Sequence, residues 1–457
     1  DTMTPKRLTG EEEHPRVVPA ANVPAHVPAN VRAQVIDDNS EDSYHIVFST
    51  GCSEFQDWQS IGVYSSAAAV GQRGIITRIA SGCKPAQEES LRHAMSHLPD
   101  NYRIHFAPDT DVVDHNGKFY KYANKPLGMM HWLRNANPPI PPSAVVALID
   151  PDFYFLRPLW HDSFDAPDKY FSTGGARNTP VGKDSTGMAR VVKGTMIAQR
   201  YGIGGKPWTS AAGRNGQKDW NLGQYFASIG RPNSPALAKD ILGNEGKAAV
   251  FYSIGAPYIA LAGDWLPIAT NWTGLMPMAV ERNFGNLAEM YAMVVAVADY
   301  GIRPKMIDNM MVSNVGANDE GWPWVDQIPK ERACDPTVLT DSSLKMPHFL
   351  HYCQHYVIDE LKDRPEGGSL FSKYQVPDEI LHCPEGSAAA EGGEAKQSKK
   401  KSGKMKLGED GFLPEPPLDL IAKSKGQLRN MFSHCQATRM TNLAARDYRK
   451  WFCSVEH

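Results

Sequence analysis

The stretch that decides the fold is Ala144-Val145-Val146-Ala147-Leu148-Ile149-Asp150-Pro151-Asp152. Its six consecutive apolar residues, mostly small or β-branched, predict a strand buried on both faces, as in parallel sheets. The strand ends in two carboxylates, Asp150 and Asp152, separated by one proline. Open α/β sheets bind ligands at the carboxyl ends of their strands, and carboxylate oxygens are hard ligands for divalent cations. The stretch therefore predicts a metal site; a plain turn is the alternative, because Asp and Pro both favour turns.

Apolar periods elsewhere in the chain predict an alternation of strands and helices around this stretch. Strands are predicted at residues 44–50, 75–80 and 249–254, and helices at residues 57–70, 88–98, 124–133 and 286–300. Alternating elements around a buried parallel strand predict an α/β sandwich with a mainly parallel central sheet. Residues 161–250 otherwise show no clear period and are predicted to be loops with short helices.

Composition divides the 457 residues into a folded domain and flanking segments. Residues 1–42, rich in Pro and polar residues, are predicted to be a stem-like flexible tail, and residues 43–383 to be one domain. Residues 384–411 combine small residues, Glu and a Lys-rich run and are predicted to be disordered, whereas residues 412–457 are predicted to be a helical extension. The net charge of −3 gives no sign of nucleic-acid binding. The sequence has no run of 18 apolar residues, the length that could span a membrane.

Cysteines and one glycosylation pattern bear on the compartment. The 7 cysteines form no Cys-x-x-Cys pair, which argues against a zinc ribbon, and their odd number leaves at least one thiol free. Asn271, in Asn271-Trp272-Thr273, is a candidate N-glycosylation acceptor that fits a secretory chain.

Three histidines, His348, His351 and His355, have the spacing of a helical zinc site. Their flanking residues favour a strand or buried turn, in which these positions do not share a face. A more economical interpretation is that one of them returns to Asp150 and Asp152 as a third metal ligand, a set that suits Mn²⁺. A hydrogen-bonded core histidine is the alternative for each.

Glu289 and Arg78 each have two interpretations. Glu289 lies three residues after Asn286, in the spacing of a helix capping box, which is the favoured reading; the alternative is a carboxylate that acts in catalysis or orients an acceptor. Arg78, in a predicted buried strand, suits a bidentate contact with phosphate or with a nucleobase carbonyl; a structural ion pair is the commoner case.

Several segments taken together resemble the hydroxyproline O-arabinosyltransferases and the related peptidyl-serine α-galactosyltransferases of plants and algae. They are residues 45–52 with 57–62, residues 74–79 with Cys83, residues 124–126 with 131–133, Asp150-Pro151-Asp152 with Arg157-Pro158, residues 254–257, residues 287–292 and His351-Tyr352. Each segment is short, but their order and spacing are jointly specific over most of residues 44–375.

The resemblance implies a nucleotide-binding α/β sandwich of the GT-A type, a UDP-sugar donor, and Mn²⁺ or Mg²⁺ as cofactor. The implied site residues are Asp150, Asp152 and His351 as metal ligands, Glu289 as catalytic residue, and Thr50, Arg78, Lys125 and Asp150 as donor contacts. The resemblance also implies a disulfide between Cys52 and Cys83, which an oxidising compartment permits.

We therefore expect transfer of a sugar, in the first place arabinofuranose, from a UDP-sugar to hydroxyproline or serine hydroxyls of secretory proteins, with retention. Peptidyl-serine α-galactosyl transfer is one alternative. A non-catalytic sugar- or peptide-binding protein on a transferase fold is an alternative of another class. The resemblance further implies residence in the Golgi or ER lumen, as a type II membrane protein whose N-terminal anchor is absent from this chain, and no nucleic-acid partner.

Overall fold

A computed structural model describes residues 44–453 except 115, 160–190, 210–219, 283–284, 319, 363–367 and 384–404. The tail predicted at residues 1–42 lies outside the described residues, as does most of the low-complexity segment predicted at 384–411. The last part of that segment, residues 405–411, is described: the amide of Met405 donates to Gln375, and a turn closes between Gly408 and Gly411.

The order of elements alternates between strands and helices through the first half of the chain. The strands are β1 (Tyr44–Thr50), β2 (Ile75–Ser81), β3 (Tyr102–Ala107), β4 (Val145–Ile149), β5 (Phe153–Phe155), β6 (Met196–Arg200), β7 (Ile254–Leu261), β8 (Lys305–Ile307), β9 (Met311–Val312), β10 (Phe349–His351), β11 (Tyr356–Val357) and β12 (Leu370–Phe371). The α-helices of the described residues are α1 (Glu54–Ala69), α2 (Pro85–Met95), α3 (Asn124–Asn135), α4 (Leu222–Ser228), α5 (Glu245–Tyr252), α6 (Ala262–Glu281), α7 (Ala288–Asp299), α8 (Trp322–Val325) and α9 (Lys425–Phe452).

The central sheet has seven strands in the order β3-β2-β1-β4-β7-β6-β8. Strands β3, β2, β1 and β4 run parallel, β7 is antiparallel to both of its neighbours, and β8 is parallel to β6. Every residue of β1, β2 and β4 is buried, as expected for strands covered on both faces. The predicted α/β class with a mainly parallel sheet is confirmed.

A smaller sheet, β5-β10-β9, stands beside the carboxyl end of β4. Because β5 begins one residue after Asp152 and pairs antiparallel with β10, the end of β10 is brought back towards the two carboxylates. Helix α9 packs against α1 and against the hairpin of β11 and β12, so the C-terminal helix belongs to the same compact unit as the sheet. The disulfides Cys334–Cys435 and Cys383–Cys453 join α9 to the preceding chain.

Helix α3 lies close against the sheet because of one glycine. A Cβ atom added at Gly128 would lie 2.8 Å from Cγ2 of Ile79, so a larger residue would push the helix away. This close approach fixes the first turn of α3, which carries Lys125, next to the end of β4.

The structure corrects one predicted element and adds others that were not predicted. Residues 249–252, predicted as the start of a strand, are the end of helix α5, and the strand β7 begins at Ile254. Strands β3 and β6 and helix α6 were not predicted; α6 contains Pro267 and Pro277, which normally indicate a break in a helix.

None of the helices in the described part of the chain has the length and hydropathy needed to cross a bilayer.

Candidate metal and donor site

The ends of β1 and β4 define the place where a ligand is expected. From β1 the chain moves outward in one direction to β2 and β3, whereas β4 lies on the other side of β1. Such a change of direction opens a crevice at the carboxyl ends of the two strands. Phe48 of β1 pairs with Ile149 of β4, so Thr50 and Asp150 leave the sheet at the same edge.

Asp150, Asp152 and His351 converge at this edge. Each offers one ligand atom, and the three atoms all lie within 4.8 Å of one another. The antiparallel register places His351, the last residue of β10, opposite Phe153, and its Nε2 lies 3.3 Å from Oδ2 of Asp152. Two carboxylates and an imidazole from three separate positions form a donor set that fits a divalent cation such as Mn²⁺.

Two lysines neutralise these carboxylates. Lys125 Nζ donates to Oδ1 of Asp150 at 2.7 Å, and Lys373 Nζ donates to Oδ2 of Asp152 at 2.5 Å. Both lysines are largely buried, with side chains 14% and 15% exposed. Buried charges need such partners, because an isolated charge in the interior loses its hydration without compensation.

Glu289 lies in the first turn of α7 and turns its carboxylate towards Lys125. Its Oε1 lies 3.2 Å from Lys125 Nζ, and only 4% of its side chain is exposed. The predicted capping box is wrong: Leu287, not Asn286, precedes the first residue of α7, and a 3₁₀ turn spans Gly285–Leu287. The Glu289 carboxylate therefore belongs to the charged cluster and not to the end of the helix.

The pKa values of these groups follow from burial and from their neighbours. Burial raises the pKa of Glu289, more than Lys125 lowers it. Burial alone would raise the pKa of Asp152, but His351 and Lys373 hold it well below its ordinary value. Burial lowers the pKa of His351, but Cys353 and the carboxylate of Asp152 together raise it well above its usual range.

Thr50 and Arg78, predicted to contact the donor, contact each other. Arg78 Nε donates to the Thr50 hydroxyl at 2.8 Å, and its guanidinium also donates to the carbonyl of Gly51 and to Asp57. Both residues are buried; Thr50 is the last residue of β1, and Arg78 lies in the middle of β2. Arg78 thus holds the segment after β1 in place, which is the structural alternative considered for it.

Cys52 and Cys83 form a disulfide that joins the segments following β1 and β2, with their Cα atoms 5.3 Å apart. Cys353, next to His351, is the free thiol of the chain. Of the other histidines, His348 is buried, with Nδ1 2.9 Å from the carbonyl of Pro158, and burial lowers its pKa to about 3. His355 is exposed, so the three histidines do not form a zinc site.

Asn271 is a poor glycosylation acceptor in this fold. It lies inside α6, and its amide nitrogen donates to the buried carboxylate of Asp299 at 2.7 Å. Arg231 binds both the Asn271 oxygen and Asp299. A glycan would have to be attached to the same nitrogen, which would disrupt this network, so we expect Asn271 to carry none.

Sequence reasoning missed Lys373 and the tyrosines around the cluster. Lys373 follows β12, and no motif precedes it; its position depends on the pairing of β12 with β11. Tyr258 of β7 interacts electrostatically with Glu289, Lys125 and Asp150, and burial raises its pKa strongly. Tyr258 could have been found from the sequence, because it directly follows Gly255-Ala256-Pro257, a segment that carries the family resemblance.

Comparison with known proteins places the chain among relatives of glycosyltransferases. It is 31% identical over 122 residues to the peptidyl serine α-galactosyltransferase of Arabidopsis thaliana, and 27% identical over 138 residues to that of Chlamydomonas reinhardtii. The resemblance to this family is confirmed. The matches cover 27% and 30% of this chain but only 14% and 17% of the two relatives. No protein-family profile matches the chain.

Two solved structures share a distant likeness. They are the apo structure of the bifunctional glycosyltransferase WbbM, with a TM-score of 0.34 and 11% identity, and the galactosyltransferase LgtC with donor and acceptor sugar analogues, with a TM-score of 0.30 and 12% identity. The likeness covers 70% and 68% of this chain, and 47% and 87% of the two structures. The assignment of the α/β class rests on the strand order and directions described above.

Proposed function

We propose that this chain is a glycosyltransferase of the GT-A type that uses a divalent cation to bind a UDP-sugar and transfers the sugar to a hydroxyl group of a protein. The observation that carries the proposal is the convergence of Asp150, Asp152 and His351 at the carboxyl ends of β1 and β4. Lys125 and Glu289 complete a cluster of opposite charges at that edge.

Asp150, Asp152 and His351 are the residues that would hold Mn²⁺ or Mg²⁺. When bound, the cation would neutralise charge on the diphosphate of the departing UDP. Lys125 adds a fixed positive charge beside Asp150, which would also attract the diphosphate. The Thr50 hydroxyl accepts a hydrogen bond from Arg78 and keeps its own proton, which it could donate to the UDP-sugar.

Glu289 is proposed to orient the acceptor hydroxyl and to stabilise positive charge that develops on the sugar. In the transfer, the bond between the anomeric carbon and the UDP oxygen breaks, and a bond to the acceptor oxygen forms on the same face. Because the new bond forms on the face that UDP leaves, the configuration is retained, and the acceptor proton passes to the leaving UDP oxygen. A buried carboxylate held by Lys125 is well placed for this work, because its position is fixed before the substrate arrives.

The names of the two relatives favour galactose and serine over arabinofuranose and hydroxyproline as sugar and acceptor. The sequence alone favoured arabinofuranose, so both donors belong in the test. Three disulfides in the chain support a proposed residence in the secretory pathway, in the lumen of the Golgi or ER, because disulfides persist in oxidising compartments.

A UDP-release assay with Mn²⁺ tests the proposal, with UDP-galactose or UDP-arabinofuranose and with or without a peptide containing serine and hydroxyproline. Peptide-dependent release with one donor, abolished in Asp150→Asn, would support it and identify the sugar. Binding of peptide or sugar without release by any donor would support the non-catalytic alternative. Failure of the chain to bind both Mn²⁺ and UDP would contradict the proposal.

A further inference from the structure

Lys373 binds a carboxylate oxygen of Asp152 that could also bind a metal ion. Its Nζ lies 2.5 Å from Oδ2 of Asp152, and the same oxygen lies 3.3 Å from Nε2 of His351. A divalent cation bound to Asp152 would compete with the ammonium group for this oxygen, because the two positive charges repel each other at close range. Entry of the cation would therefore release Lys373 from Asp152.

The released ammonium would remain at the mouth of the site. Lys373 lies in a short 3₁₀ turn, Lys373–Gln375, which follows the paired strands β11 and β12. The amide of Met405 donates a hydrogen bond to the carbonyl of Gln375 and holds this turn. Lys373 Nζ lies 5.1 Å from the centre of the Tyr374 ring, which is stacked on Phe55 and is exposed on its other side. The turn thus keeps the lysine between the carboxylates and solvent.

Charge balance indicates what the released group would bind. Three carboxylates, Asp150, Asp152 and Glu289, face two ammonium groups, Lys125 and Lys373. A divalent cation added to this set leaves one positive charge in excess. A diphosphate diester carries two negative charges, so it complements the loaded site, whereas without Lys373 the loaded site would have no excess positive charge.

We propose that Lys373 is a donor-binding residue that neutralises Asp152 in the metal-free protein and transfers its ammonium group to the diphosphate once a cation is bound. The inference rests on the proposed function and adds to it a specific order, cation first and then nucleotide. It also assigns a role to a residue in a part of the chain that carries no recognisable motif.

Lys373→Met separates this role from a structural one, because the two roles predict opposite effects on metal binding. Mn²⁺ binding to the protein alone is measured by electron paramagnetic resonance, and UDP binding in saturating Mn²⁺ by calorimetry. We expect Lys373→Met to bind Mn²⁺ at least as tightly as the unsubstituted chain, since a competing ammonium is gone. We expect its affinity for UDP to fall about tenfold or more, since a charge-assisted contact with phosphate is lost.

Two controls make the result decisive. Lys373→Arg should restore most of the UDP affinity, and Lys362→Met, at an exposed lysine paired with Asp359, should change neither measurement. Weaker Mn²⁺ binding in Lys373→Met, with a matching loss of thermal stability, would show that Lys373 only supports Asp152. UDP affinity unchanged in Lys373→Met would also overturn the inference, whereas failure of the unsubstituted chain to bind UDP would overturn the proposed function itself.

Discussion

His351 Nε2 lies 3.3 Å from Oδ2 of Asp152, across the antiparallel pair that β10 forms with β5. The contact exists because β5 follows Asp152 directly and returns beside β10, whose last residue is His351. A strand register thus brings together two residues that are far apart in the sequence. The same contact raises the pKa of His351, and this has a measurable consequence for metal binding.

Mn²⁺ binding should strengthen as pH rises. The imidazole must be neutral to bind a metal, and Asp152 and Cys353 hold the proton of His351 to a pH well above its ordinary pKa. Below that raised pKa, each unit of pH should change Mn²⁺ affinity about tenfold, because one proton leaves for each ion bound. Titration with Mn²⁺ at several pH values checks this. His351→Gln should bind more weakly and with a flatter dependence; an unchanged slope would contradict the assignment.

Asp150→Asn should remove Mn²⁺ binding with little loss of fold. The substitution keeps the shape of the side chain, and Lys125 retains Glu289 as its partner. Asp152→Ala should also abolish transfer, but it leaves the buried Lys373 without its carboxylate and is expected to cost stability as well. Mn²⁺ titration and thermal denaturation separate the two effects. Asp240→Asn, at an exposed surface pair with Arg303, is the matched control.

The fold and part of the site were predictable because their signals are local. The apolar run before Asp150 predicts a strand, and its burial on both faces predicts a parallel sheet. The carboxylates of Asp150 and Asp152 follow this strand directly in the chain. The residues flanking the three histidines indicated a strand or buried turn, which left one of them as a returning ligand, and the family resemblance singled out His351. That interpretation agrees with its place at the end of β10, although its role as a ligand stays a prediction.

Other parts depend on contacts that no local pattern reveals. Residues 249–254 have strand propensity, but Asn244 accepts a hydrogen bond from the amide of Lys247 and begins helix α5 instead. Lys373 reaches Asp152 only through the pairing of β12 with β11. The cap predicted from Asn286 failed because the spacing alone does not show that Glu289 has a stronger partner in Lys125.

Asn271 should carry no glycan when the chain is produced in a secretory host. Its amide nitrogen is committed to Asp299, whose buried carboxylate also binds Arg231. Release of glycans by an amidase that converts the attached Asn to Asp, followed by peptide mass spectrometry, checks this position. A mass shift at residue 271 would show that the network with Asp299 does not form before glycosylation.

Loss of the disulfide between Cys52 and Cys83 should lower the free energy of unfolding by about 4 kcal/mol, as expected for a loop of this size. The bridge closes a sequence separation of 31 residues and joins the segments that follow β1 and β2. Paired Ser substitutions at both positions should therefore also weaken UDP binding, because the segment after β1 begins next to Thr50 and is held by Arg78 through the carbonyl of Gly51. Denaturant unfolding and calorimetry measure the two effects. Equal stability with and without the bridge would contradict the prediction.

Glu289→Gln should lower turnover about a hundredfold or more, while Mn²⁺ and UDP binding stay within a few-fold of the unsubstituted chain. The carboxylate is proposed to act on the acceptor and the sugar, whereas Lys125 keeps Asp150 in place. Because burial raises the pKa of Glu289, activity of the unsubstituted chain should fall on the acid side at a pH above the ordinary glutamate pKa. Asp299→Asn, at a buried carboxylate at the other end of α7, is the matched control: it should reduce thermal stability but leave turnover of the folded protein intact. Turnover lost equally in both variants would show that Glu289 supports the helix and does not take part in the transfer.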